Sequence, residues 1–71
     1  MEKERIANNL KQERMSRGVT MPELADVIGV QTVSAYYRKE IGLLRFSLEE
    51  AMKLSKFYGK SVEELFGDLD E

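Results

Sequence analysis

Apolar residues recur along this chain at intervals of three and four, in short runs punctuated by glycine, and nowhere in the alternating pattern of a half-buried strand. The first run predicts a helix over residues 2–17, with Ile6, Ala7, Leu10 and Met15 facing a core and Lys11, Arg14 and Arg17 as long cations along it. Asn8 and Asn9 are weak helix formers near its start, and Gly18 closes it. Thr20 and Glu23 stand three apart, the spacing at which a Thr hydroxyl caps a helix and a Glu carboxylate reaches back to the cap. Pro22 falls in the first turn, where a missing N–H is harmless. Leu24, Ala25, Val27 and Ile28 then form one broad apolar face, so a second helix is predicted over 21–28.

Gly29 suits a left-handed exit from that helix. A third helix follows from Thr32 to about Glu40, with Gly42 as its stop. The loop Leu43-Leu44-Arg45-Phe46 is three-quarters apolar and is expected to fold back onto the core. Ser47-Leu48-Glu49-Glu50 is a second capping box, opening a helix over 48–58 whose stripe is Leu48, Ala51, Met52, Leu54, Phe57 and Tyr58. After Gly59, Ser61-Val62-Glu63-Glu64 is a third box, opening a short helix with Val62, Leu65 and Phe66. Five helices in 71 residues make the fold all-α, with one domain across 1–71, a core within 6–66 and an acidic, mobile tail over 67–71.

The closest pair of signals lies in Thr20 to Glu40. Two short helices joined through so brief a glycine-containing turn must cross steeply, as in a helix-turn-helix. In that unit the second helix can enter the DNA major groove.

Charge first argues against such a role, since the net charge is −2. Placed along the chain it reads differently. Five of the 13 acids fall after residue 60, so residues 1–60 hold all 11 Lys and Arg against eight acids, a balance of +3. That asymmetry suits a basic working face with the acidic end held away from a polyanion. It equally suits a mixed, solvated surface. The absence of Cys and His removes the usual ligands of a transition metal and the commonest general base, so no metal, cofactor or catalytic residue is expected. No apolar signal-peptide core opens the sequence and no 18-residue apolar run could span a membrane, which points to the cytoplasm.

The order of these features resembles the Cro/cI-type (XRE-like) helix-turn-helix family, the five-helix lambda-repressor-like domain of phage repressors and many small bacterial regulators. The matching residues are Leu10 with Arg14, Gly18-Val19-Thr20, Glu23-Leu24-Ala25, Ile28-Gly29-Val30, and Glu40-x-Gly42. Ser47-Leu48-Glu49-Glu50-Ala51 through Leu54, and Gly59-x-Ser61-Val62-Glu63-Glu64-Leu65-Phe66, complete them. The Tyr-Arg-Lys-Glu-x-Gly run looks most like the short phage regulators. The sequence departs from the family in three places. Met21 stands where the family has a phosphate-binding Gln, Lys39 replaces an apolar residue, and one extra residue lies between Gly29 and Glu40.

The resemblance implies that Arg14 and Glu40 form a structural pair tying the third helix to the first. With Glu40 as the anchor, Tyr36 faces inward, Tyr37 and Arg38 lie towards DNA, and Thr32, Val33 and Ser34 begin the helix. With the extra residue placed after the helix instead, Gln31, Thr32, Val33 and Tyr36 face forward. The candidate base-reading residues are therefore Gln31, Thr32, Val33, Ser34, Tyr37 and Arg38. A Gln can bond bidentately to adenine, an Arg to guanine, and a Val can touch a thymine methyl. Arg17, Thr20, Met21 and Arg45 are candidates for phosphate, the amides opening the second helix adding its positive dipole end.

The implied function is a sequence-specific DNA-binding regulator, a repressor, acting as a homodimer on palindromic double-stranded DNA. Leu65, Phe66, Phe57 and Tyr58 are the apolar candidates for the two-fold contact. The rival is a protein-binding antitoxin, antirepressor or anti-activator on the same fold, a reading to which Met21, the Tyr36-Tyr37 pair and the acidic balance lend weight.

Overall fold

A computed structural model describes residues 2–66, with side chains from residue 9 onward. Its helices are α1 (Glu2–Arg17), α2 (Met21–Ile28), α3 (Val33–Glu40), α4 (Leu48–Tyr58) and α5 (Val62–Phe66), and no strand occurs among the described residues. The fold is all-α. The expectations for Ile6 and Ala7 as core contacts, and for the acidic tail 67–71, fall outside what is described.

Capping explains where the helices begin. At α4 and α5 both halves of the capping box form: the Glu50 and Glu64 amides donate to the Ser47 and Ser61 hydroxyls at 3.0 Å, and each Glu carboxylate accepts from the cap amide at 2.9 and 2.8 Å. At α2 only one half is present. Thr20 accepts from the Glu23 amide at 3.3 Å.

The core joins Leu10 of α1, Leu24, Ala25 and Ile28 of α2, Tyr36 of α3, Ala51, Leu54 and Tyr58 of α4, and Leu65 and Phe66 of α5. Phe46 reaches it from the loop, meeting Phe66 and Tyr36 edge-on with centroids 5.2 and 6.2 Å away. α2 packs between α3 and α4, while α5 closes against α1 and α4.

Several apolar residues expected inside are outside. Met15 is exposed because Leu10 sets the buried face of α1, and five residues at 100° each turn Met15 about 140° away. The buried face of α4 is Ala51, Leu54 and Tyr58; Met52 lies about 160° from Leu54, and Leu48 begins the helix beyond the core's edge. Leu48 is 74% exposed, and Phe57 also reaches solvent. Of the apolar loop residues only Phe46 turns inward. The amides of Leu43 and Leu44 both donate to the Arg38 carbonyl, finishing α3, and their side chains point out. Three of the residues considered for a two-fold contact, Tyr58, Leu65 and Phe66, are consumed by the core.

Candidate nucleic-acid interface

The turn between α2 and α3 is built by local chemistry. Gly29 adopts φ +84°, a left-handed backbone that an L side chain rarely takes. Its amide donates to the carbonyls of Ala25 and Asp26, and the Val30 amide donates to Ala25 as well, the pattern of a Schellman stop. The chain bends at Gln31 and reaches Thr32 in an extended conformation; the Thr32 hydroxyl accepts from the Ala35 amide at 3.0 Å and starts α3. Four residues separate one helix from the next.

α3 is fastened at its far end. Glu40 lies in α3's last turn with its side chain 2% exposed, and it accepts three hydrogen bonds. Arg14 grips it with two parallel bonds of 3.0 Å, from Nε and Nη2, and the Tyr36 hydroxyl donates at 2.9 Å. A buried carboxylate is tolerable only with such partners. The bond to Glu40 holds the Arg14 guanidinium even more firmly protonated than usual. Burial, reinforced by the Glu40 charge, pushes the Tyr36 hydroxyl far above its ordinary range, so it acts purely as a donor. Tyr36 is fully buried, so of the two registers only the one anchored on Glu40 matches this geometry.

The leading end of α3 carries no such load. Gln31, Thr32, Val33 and Ser34 are all exposed, as are Tyr37 and Arg38 on the following turn. Thr32 keeps its hydroxyl proton free while its oxygen caps the helix. Arg45 lies exposed in the loop after α3. Lys53 reaches over from α4, its Nζ 3.9 Å from where a side chain would sit on Gly29, a cation near the turn that its place in the sequence gave no reason to expect.

The remaining candidates are partly engaged elsewhere. Arg17 bonds Glu13 at 2.7 Å and stacks over the Tyr58 ring at 5.3 Å. Glu13 also holds Lys60 at 2.9 Å; that bond leads in drawing its pKa down, with Arg17 assisting. Thr20 is exposed at the opening of α2, but Met21 packs its side chain against the core, leaving only its backbone amide for an anion. Lys39 is not a base reader. It donates to the Arg45 carbonyl at 2.8 Å, pairs with Glu50 at 3.0 Å and lies over the Phe46 ring, so its stem replaces the apolar cover expected at that position. Among the described residues no acidic cluster could hold a metal and no helix is long and apolar enough to cross a membrane.

A helix-turn-helix family profile matches residues 10–65, from the first core leucine to the last. The chain belongs to the Cro/cI-type (XRE-like) helix-turn-helix family. Its five helices are the lambda-repressor-like fold of that family, whose members are DNA-binding regulators rather than enzymes. No curated protein and no solved structure gives a match to the chain. The profile spans both the Arg14 and the Glu40 that fasten α3.

Proposed function

We propose that this protein is a cytoplasmic, Cro/cI-like repressor that reads a palindromic operator as a homodimer, with the leading end of α3 in the major groove of each half-site. The observation that supports it most is the division of α3. Its rear is locked by Arg14, Glu40 and Tyr36, while Gln31 to Ser34 stand in solvent. A recognition helix needs its first side chains free and its axis rigid.

In this reading Gln31 bonds an adenine edge, Ser34 and Thr32 offer hydroxyls to neighbouring bases, and Val33 meets a thymine methyl. Tyr37 and Arg38, one turn further along, reach a base or the sugar–phosphate edge. Arg45, the Thr20 hydroxyl and the Met21 amide position the phosphates. Arg17 joins them only by sharing its guanidinium with Glu13. With so few unpaired cations the affinity should be modest and its salt dependence shallow, each neutralised phosphate adding only about 0.9 to the log–log slope.

Selection of binding sites from a random duplex pool, repeated at low and high salt, tests the proposal directly. Enrichment of a palindrome with half-sites about one helical turn apart is the expected result. Loss of all salt-sensitive binding would move the function to the protein-binding rival, with Val33 and Tyr37 as the exposed contacts.

A further inference from the structure

Two arginines in the last turn of α1 are held by carboxylates in different ways. Arg14 is locked, its side chain 14% exposed and both Nε and Nη2 bonded to Glu40. Arg17, three residues on, is 40% exposed and uses only its Nε, on Glu13 at 2.7 Å. Its two Nη groups donate to no acceptor among the described residues. The guanidinium rests over the Tyr58 ring at 5.3 Å, a contact that fixes none of its hydrogen bonds. Arg17 is therefore positioned without being committed.

Its partner is not committed to it either. Lys60, from the turn between α4 and α5, donates to the other oxygen of Glu13 at 2.9 Å. The Lys60 bond comes ahead of Arg17 in keeping that carboxylate ionised. When Arg17 lets go, Glu13 still has a cation, and no carboxylate is stranded. The arginine also borders the opening of α2. The Gly18 and Val19 amides donate back to the Met15 and Arg14 carbonyls at 3.2 and 3.0 Å, and the Thr20 cap follows at once. Three residues span at most about 11 Å, so Arg17 adjoins the Thr20 hydroxyl and Met21 amide given above to a phosphate.

We propose that Glu13 is a built-in rival of the DNA backbone: its carboxylate competes with a phosphate for Arg17, and Lys60 holds it when Arg17 turns to the DNA. A carboxylate and a phosphate offer a guanidinium the same kind of paired acceptor, so one can stand in for the other. Phosphate contacts carry no sequence information, so the rival lowers affinity for every duplex alike. The inference rests on the DNA-binding reading, but on no particular operator and on no dimer.

NMR titration of the full chain with a short duplex of mixed sequence tests the exchange without any substitution. The Arg17 Nε–Hε resonance should move along with the amides of residues 31–38. In anisotropy binding to the same duplex, Glu13→Gln keeps an acceptor for Lys60 but drops the charge, and should bind about threefold to fivefold more tightly. Arg17→Ala should weaken binding and reduce the log–log salt slope by about 0.9. Combined with Arg17→Ala, Glu13→Gln should gain nothing, since no arginine remains to be released. An equal gain with and without Arg17 would reduce Glu13 to a negative charge near DNA and overturn the competition. An Arg17 signal that stays still while residues 31–38 move would overturn it too, leaving DNA binding intact. No movement anywhere would overturn both. Movement of Arg17 with no palindrome selected would keep the rival and remove the operator.

Discussion

The two ends of α3 are only two turns apart, yet they are built on opposite terms. The rear buries Glu40 and Tyr36 in a network with Arg14, in which both Glu40 oxygens and the Tyr36 hydroxyl have fixed partners. The front exposes Gln31 and Thr32 just ahead of the helix and Val33 and Ser34 in its first turn, and only the Thr32 oxygen has a structural duty. Rigidity is thereby confined to the rear of one short helix, and under the proposed reading recognition falls to the side chains at its front. Stability experiments should see the rear, binding experiments the front.

The largest effect is expected at the rear. Glu40→Ala strands the part-buried Arg14 charge and the buried Tyr36 hydroxyl, and should cost about 3–5 kcal/mol in urea unfolding. An effect no greater than that of the exposed Glu63→Ala would break the contrast. Next come the two buried tyrosines. Tyr36→Phe removes a bond to a carboxylate and should cost about 1.5–3 kcal/mol. The Tyr58 hydroxyl is equally enclosed but meets no hydrogen-bonding group among the described residues, and burial pushes it up to about 12. Tyr58→Phe should therefore be close to neutral, and an equal loss in both variants would show that volume rather than the Glu40 network is being measured.

The front should behave in the reverse way. Gln31→Ala should leave the melting curve in place yet reduce discrimination at one base pair by about 1–3 kcal/mol in competition binding. A uniform loss across all sequences would instead make Gln31 a backbone contact. Between the two ends in effect is the turn that aims the helix. Gly29→Ala forces a side chain into a left-handed conformation, worth about 1–2 kcal/mol of stability, although the added methyl would meet only Lys53 Nζ, in ordinary contact at 3.9 Å.

The smallest effect is in acid. Burial raises the Glu50 pKa, but the Ser47 amide and Lys39 outweigh it, so the folded value lies below the ordinary 4.5. The stabilisation is present above the unfolded value and is lost as pH falls through the folded one. Glu50→Gln should lose that stabilisation at neutral pH and so flatten the acid limb of a pH–stability profile, leaving stability at low pH little changed.

The sequence marks the ends of the helices well because caps and stops are local devices. Ser47 with Glu50, Ser61 with Glu64, and Gly29 each act within a few residues of themselves. The faces of the helices were less legible. α4 carries more apolar residues than one core can take, and nothing within the helix distinguishes Leu54, which is buried, from Met52, which is not. At the candidate interface, Glu40 identifies which side of α3 is inside. What escapes a reading of the chain is the use of its cations. Glu13 and Lys60 meet across 47 positions, Arg17 is shared with Glu13 and Tyr58, and Lys39 serves the loop. Such pairings depend on where α1 and the α4–α5 turn come together, which no local pattern encodes.

One consequence of the Glu40 clasp concerns how this protein could change its target. Because Thr32 alone among the four outward side chains at the front of α3 helps to hold the helix, the other three, Gln31, Val33 and Ser34, can be rewritten with the architecture left standing. A chain organised this way can acquire a new address in a genome by a few substitutions, each nearly invisible to folding.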